Sequence, residues 1–280
     1  MVKRSVLATR GLSYAYAPGQ WAVRNVDLSV TAGARIALLG ANGAGKSTLL
    51  LLLSGAEHAC HGDVFLHGEQ AEHTREGLRR WRQQAGLLLQ DPEDQLLAPT
   101  VEQDVAFGPL QAGAEESQAR RLAEQALAEM AISHLATRPV HELSLGEKKR
   151  VALAGLLVQA PSVLLLDEPT AGLDPEGVRA LRETLDTLGA AGAAIVLATH
   201  DVDFAYEWAS EVCVLFQGSI LAQGEPARIL ADREMLTHAS LEPPLLLEAA
   251  LAIGGPPPLP RSRAQFREWA AQHAVRRIAP

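Results

Sequence analysis

Apolar and polar positions change rhythm several times along the 280 residues. Two strand-like stretches come first, around Val6 to Tyr16 and Trp21 to Val30, parted by the turn signal Pro18-Gly19. A short apolar run, Arg35 to Leu39, then meets a glycine-rich loop and a leucine-rich segment, which predicts strand, loop and helix in succession. Asp63 to Leu66 and Gly86 to Leu89 read as further strands. From about Pro92 to Leu143 apolar residues recur at helical spacing, as in Leu122, Ala126, Leu127 and Met130, with charges between them. This predicts an inserted helical subdomain over about 92–160 rather than an independent domain. A helix after Gly146 runs to about Gln159, and Val163 to Leu166 is a fully apolar strand. A helix from Pro175, a strand from Ala194 to Thr199, a helix from Asp201 and a hairpin turning at Gln217-Gly218 complete the alternation. The expected fold class is α/β: a mostly parallel sheet covered on both faces, with an antiparallel β part at its N-terminal end.

The main domain is expected over 1–225, and 226–280 as a helical extension. Gly254-Gly255-Pro256-Pro257-Pro258 signals a linker, and Ser262 to Ile278 a short helix carrying Phe266 and Trp269. Two readings of that helix stay open: folded back on its own domain, or a contact with a second copy of the chain.

Composition narrows the function classes. The chain is 48% hydrophobic but only 4% aromatic, so its core rests on Leu, Val, Ile and Ala. A formal charge of −8 disfavours nucleic acid as a partner, because neutralising phosphates needs clustered Lys and Arg. Cys60 and Cys213 are far apart, which fits a reducing compartment. No apolar segment follows Met1-Val2-Lys3-Arg4, so no export signal is expected. The densest apolar run, Leu49 to Leu53, falls far short of the roughly 20 residues a spanning helix needs.

Gly40-Ala41-Asn42-Gly43-Ala44-Gly45-Lys46-Ser47 fits the phosphate-binding P-loop pattern in full, after a strand and before a helix. Glycines let successive N–H groups turn inward onto phosphate oxygens, and the helix that follows, with Thr48 in its first turn, adds its dipole. Lys46 suits the β- and γ-phosphates, and the Ser47 hydroxyl suits Mg²⁺. An apolar strand ends in Asp167-Glu168, which puts Asp167 beside the metal and makes Glu168 the candidate general base. ATP and Mg²⁺ are therefore the expected ligands.

P-loops serve many enzymes, and the string that separates them here is Leu143-Ser144-Leu145-Gly146-Glu147-Lys148-Lys149-Arg150. It resembles the signature motif of ATP-binding-cassette proteins. Leu145 stands where a second glycine is usual and Glu147 where glutamine is usual, while Ser144 and Gly146 are kept. The resemblance continues in order over roughly 1–225. Tyr16, ahead of Tyr14, resembles the aromatic that stacks on adenine. Gln90 resembles the Q-loop glutamine that touches Mg²⁺ and the attacking water. Ala171-Gly172-Leu173-Asp174 resembles the D-loop, and His200 the switch histidine. The family implies two copies, each ATP held between one P-loop and the partner's Ser144, Gly146 and Glu147. A P-loop kinase would leave the signature string unexplained. Cassette ATPases of DNA repair or the ribosome carry a coiled-coil insertion or a second cassette, and no sign of either is found.

Asp91-Pro92-Glu93-Asp94-Gln95-Leu96-Leu97-Ala98-Pro99-Thr100, closing with Asp104 to Pro109, resembles the energy-coupling-factor importers of vitamins and transition-metal ions. That resemblance implies an integral membrane coupling subunit, a substrate-capture subunit and a peripheral place on the cytoplasmic face of the membrane. Leu96, Leu97 and Phe107 are candidates for the docking groove or for packing under the helices. The run from Gly146 to Gly155 looks most like the cobalt-importing members, with nickel or a vitamin as alternatives. His58, Cys60, His61, His67 and His73 lie close in sequence, but their spacing matches no usual ligand pattern, and surface histidines are the expectation.

Overall fold

The computed structural model describes residues 5–254 and 256–274. The basic opening at 1–4, Gly255 of the linker and the predicted end of the last helix beyond 274 lie outside the described residues.

Two sheets organise the chain. An antiparallel sheet is built from β1 (Ser5–Ala17), β2 (Gln20–Val26), β3 (Ser29–Thr31), β5 (His61–Leu66) and β6 (Glu69–Gln70), with β1 pairing β2, β3 and β5. The second sheet runs β11-β10-β4-β9-β8-β7, from β4 (Arg35–Leu39), β7 (Ala85–Leu88), β8 (Val163–Asp167), β9 (Ala194–Thr199), β10 (Glu211–Phe216) and β11 (Ser219–Gly224). Its strands are parallel except for β11, which turns back through a tight hairpin at Gln217-Gly218.

Every residue of β8 and β9 is buried, as expected of strands covered on both faces. Alternation decides which core each side chain joins. Ile36, Leu38, Val163, Leu165, Val196 and Cys213 pack toward the antiparallel sheet and α1 (Lys46–Leu53). Ala37, Leu39, Leu164, Leu166, Leu197 and Val214 pack toward the helices on the other face. Those helices include α3 (Val101–Gln111), α4 (Glu116–Glu129), α5 (Leu145–Leu157), α6 (Pro175–Ala190) and α7 (Val202–Trp208). Val101, Val105, Ala123, Leu127 and Val151 share one continuous core with the sheet.

Some elements differ from expectation. α2 (Arg75–Gln84) lies where no element is predicted, capped by the Thr74 side chain accepting from Gly77 N at 3.0 Å. Trp81 anchors it, donating from Nε1 to Leu53 O at 2.9 Å. Strand β7 stops at Leu88, so Gln90 lies two residues past the strand end. The tail continues through α8 (Pro226–Ile229), α9 (Arg233–His238), α10 (Leu245–Ile253) and α11 (Arg263–Ala274).

The segment that leads into α11 is tied to α7. Tyr206 of α7 donates its hydroxyl to Pro260 O at 3.1 Å, and Arg261 Nε donates to Tyr206 O at 2.8 Å. Trp269 is buried and donates from Nε1 to Pro256 O at 3.3 Å. Among the described residues no helix is long and apolar enough to cross a membrane.

Candidate active site

Strands β4, β9, β8 and β7 are neighbours and parallel, so their carboxyl ends share one edge of the sheet, where open α/β sheets bind ligands. The loop 40–45 leaves β4 there and enters α1. Its shape demands glycine: a Cβ on Gly40 would lie 2.6 Å from Leu215 O, and one on Gly45, at φ +103°, 2.2 Å from Ala22 O. Ala44 is buried behind the loop, and its carbonyl accepts from Gly218 N at 3.0 Å. Asn42 and Gly43 are exposed at the loop's outer turn. Lys46 is buried and donates from Nζ to Gly40 O at 2.8 Å and Ala41 O at 3.3 Å, which ties the loop into a ring. Burial lowers the Lys46 pKa, against the opposing pull of Glu168 and Asp167.

Asp167 ends β8 and is buried; its Oδ1 has no hydrogen-bond partner among the described residues. Burial raises its pKa, although a hydrogen bond with Ser47 and the charge of Lys46 act the other way. Glu168 follows with φ +42°, a left-handed conformation unusual for a side chain of this size. Its N–H donates to Ala198 O at 2.9 Å. Its carboxylate accepts from His200 Nδ1 at 2.9 Å and from the Thr199 hydroxyl at 3.1 Å. A carboxylate only accepts, so the His200 proton sits on Nδ1.

These groups line a cleft of about 470 Å³ together with Tyr16, Trp21, Asn42, Gly43, Gly45, Ser47, Thr48 and Gln90. The Tyr16 ring is exposed at the cleft, its hydroxyl 3.0 Å from Thr48 Oγ1, whereas Tyr14 turns away to donate to Glu57 at 3.1 Å. Gly40 and Ala44 shape the loop from behind and do not line the cleft.

Ser144, Gly146, Glu147 and Asp174 are not brought into this cleft. They stand at two helix N-termini beside it. Ser144 caps α5, accepting from Glu147 N at 3.3 Å, while Glu147 Oε2 accepts from Ser144 N at 2.7 Å. Glu147, grouped by resemblance with the nucleotide contacts, is thus engaged by its own helix and by Arg138 at 3.3 Å. The Ser144 hydrogen bonds hold its carboxyl below the ordinary range. Asp174 caps α6 by accepting from Gly177 N at 2.7 Å. The two tips touch: a Cβ on Gly172, at φ +73°, would lie 2.4 Å from Leu145 Cδ2. Leu145, at the departing position of the motif, covers that glycine.

Residues 23–171 match the family described as ABC transporter. The chain is 46% identical over 274 residues to the cobalt import ATP-binding protein CbiO of Rhodobacter capsulatus, covering 94% of this chain and 98% of that one. The chain belongs to the ATPases of ABC transporters. It is also 43% identical to the energy-coupling factor transporter ATP-binding protein EcfA2 of Methanospirillum hungatei, over 87% of this chain and 61% of that one. Among solved structures, CbiO1 of Clostridium perfringens, described as part of the ABC transporter complex CbiONQ, superposes with a TM-score of 0.74. It is 36% identical and covers 84% of this chain and 94% of its own.

Sequence reasoning missed three side chains of this ATPase. Thr199 is fully buried, donates to Glu168 and accepts from Asp201 N at 3.0 Å; the signal was one hydroxyl ending an apolar strand. Arg138 holds Glu147, and Lys148 pairs with Glu93 just after Gln90. The histidines divide: His58 packs against His73 with ring centres 3.8 Å apart and the rings tilted by 41°, and His67 bonds Ser162 at 3.0 Å. Among the described residues no cluster of three or more His, Cys, Asp or Glu could hold a metal ion.

The Mg²⁺ expected with ATP fits the donors present. Asp167 offers a buried carboxylate oxygen with no partner, and Ser47 and Gln90 add neutral oxygens, the all-oxygen set a hard cation prefers.

Proposed function

We propose that this ATPase powers an energy-coupling-factor importer of a transition-metal ion, cobalt first, working as a homodimer on the cytoplasmic face of the membrane. The observation that carries the dimer is the division of the site. One cleft holds the P-loop, Asp167, Glu168, Gln90 and His200, while exposed Ser144 and Asp174 and half-buried Gly146 sit on helix tips outside it. A second copy turned about a two-fold axis would bring its Ser144 tip over this chain's Lys46, and the reverse. The helix N-terminus of α5 then offers N–H groups and a positive dipole end to the γ-phosphate. Support for cobalt is the 46% identity to a cobalt import protein over nearly the whole of both chains.

Each group of the cleft has a part in the hydrolytic step. Lys46 and the loop N–H groups hold the β- and γ-phosphates in line, and Tyr16 stacks on adenine, worth roughly 1–3 kcal/mol by analogy with nucleic-acid stacking. Asp167, Ser47 and Gln90 would hold Mg²⁺, which neutralises phosphate charge when bound. Glu168 takes the proton of the water that attacks the γ-phosphorus, as the bond to the ADP oxygen breaks. His200 and Thr199 fix that carboxylate through hydrogen bonds. Closure on ATP and opening after hydrolysis would move the membrane subunit, which docks near the exposed Leu97 and Phe107. Leu96 is half-buried and packs against the core.

The test is transport. Vesicles containing the chain with its membrane and substrate-capture subunits should accumulate Co²⁺ with ATP, and Lys46→Ala should abolish it. Preference for Ni²⁺ or a vitamin under the same conditions would move the substrate within the group. Uptake indifferent to Lys46 would end the reading.

A further inference from the structure

Lys149 is a cation on α5 that the scheme above leaves unused. It is 5% exposed and enters none of the ion pairs among the described residues. Its ammonium group instead donates to three main-chain carbonyls, Glu168 O at 3.2 Å, Pro169 O at 3.2 Å and Ala171 O at 2.6 Å. An ammonium has three N–H bonds, and all three are used. Burial lowers its pKa, with Glu168 and Asp91 pulling the other way, and the three carbonyls offset the cost of burying the group.

The carbonyls it gathers are those of the turn that carries Glu168. That residue sits at φ +42°, a strained conformation that persists only where its surroundings enforce it. The N–H of Glu168 is held by Ala198 O, and its carbonyl accepts from Ala171 N at 3.1 Å. Lys149 adds a further restraint, from a helix whose first residues do not line the cleft.

We propose that Lys149 is a positioning residue for hydrolysis: it fixes the turn 168–171, and so the carboxylate of Glu168, from the helix that bears Ser144. Because α5 is read as meeting the partner's nucleotide, the inference rests on the proposed dimer: a shift of that helix tip would be passed to this chain's own Glu168 through Lys149. A flexible apolar side chain of similar length would fill the space and leave Pro169 O and Ala171 O unanswered, while Glu168 O keeps only its bond from Ala171 N. Arginine would keep the charge, but its planar fork cannot spread three N–H groups over three carbonyls in the same way.

The experiment compares Lys149→Met and Lys149→Arg with wild type in ATP hydrolysis, together with ATP-dependent dimerisation of each in a Glu168→Gln background. Misplacing a reacting group by about 1 Å can cost 10²-fold, so kcat should fall about ten- to a hundredfold in Lys149→Met and less in Lys149→Arg. The KM for ATP and the ATP-dependent dimer should change by no more than about twofold, since P-loop and Ser144 are untouched. If Lys149→Met does not fold, the drop in kcat without KM in Lys149→Arg carries the test. Unchanged kcat in the folded variants, or a change confined to KM, overturns the inference. Absence of an ATP-dependent dimer in Glu168→Gln alone would instead strike the parent proposal.

Discussion

The cleft at the sheet edge and the paired helix tips beside it both gather backbone N–H groups, yet they are built in opposite ways. In the cleft the charged groups are buried: Lys46, Asp167 and Glu168 each keep less than a tenth of their surface in water. Geometry there is imposed by close backbone approach, as at Gly40 and Gly45, and by a left-handed Glu168. At the tips, Ser144, Leu145, Gly172 and Asp174 are exposed, and order comes from caps that each helix makes for itself. Burial preorganises a site for a ligand but costs stability. Capping costs little and leaves a surface ready to meet another molecule. On the proposed reading, the half-site that does chemistry is the strained one, and the half that waits for a partner is relaxed.

The sharpest way to break this contrast is Glu168→Gln. Loss of a general base costs about 10²–10⁴ in turnover, while ATP binding by the P-loop should survive. Steady-state hydrolysis with ATP-dependent size-exclusion chromatography reads both; wild-type turnover would remove Glu168 from its role. Next in size is Asp167→Asn, read as thermal stability without nucleotide or Mg²⁺. Burial raises the Asp167 pKa, so the folded chain resists ionisation that the unfolded chain accepts. Below the ordinary carboxylate range both states are protonated and the variant should match wild type. As pH rises through that range and up to the folded pKa, wild type loses stability and the variant does not. Its melting temperature near neutral pH should therefore exceed wild type, by about 2–4 °C per kcal/mol of relief, while hydrolysis is lost. A lower melting temperature at neutral pH would show that the attraction to Lys46 outweighs burial.

The difference between the two regions also decides how much was legible in the sequence. Strands β8 and β9 are apolar runs that stop at Asp167 and Thr199, and β4 runs into a glycine-rich loop. The fold and the P-loop with Asp167 and Glu168 could therefore be read from pattern and spacing, whereas Tyr16, Gln90 and His200 were reached through the family resemblance. The Ser144–Glu147 box is likewise local, four consecutive residues. Thr199 and Lys149 were not legible, because their partners lie on other strands and turns, and nothing in a single hydroxyl or lysine marks it as buried. Helix α2 escaped because Arg75, Arg79, Arg80 and Arg82 hide a core contact made mainly through Trp81. Gln90 resembled a strand end, but Gln95 closes β7 early, accepting from Leu89 N and donating to Leu87 O, both at 2.7 Å.

At the tips the effects should be smaller and separable. Ser144→Ala removes an N-cap worth about 1 kcal/mol and should lower the melting temperature of the free chain. If the tip also meets the partner's nucleotide, the same change weakens ATP-dependent dimerisation in the Glu168→Gln background beyond that stability loss. Equal losses would mean that Ser144 is a cap and nothing more.

The smallest expected change is Glu147→Gln, and it is the most discriminating for the motif's departure from the usual glutamine. Glu147 accepts from Ser144 N and sits beside Arg138, so an amide can keep the first bond through its oxygen and loses only the partly exposed ion pair. Exposed pairs contribute roughly 0.2–1 kcal/mol, which sets the stability loss. Removing a negative charge from a helix N-terminus that would face the γ-phosphate should act the other way on nucleotide binding. Stability should therefore fall slightly while ATP-dependent dimerisation holds or tightens. If both fall together, Glu147 serves the nucleotide through its carboxylate, and the relaxed tip is more specialised than its caps imply.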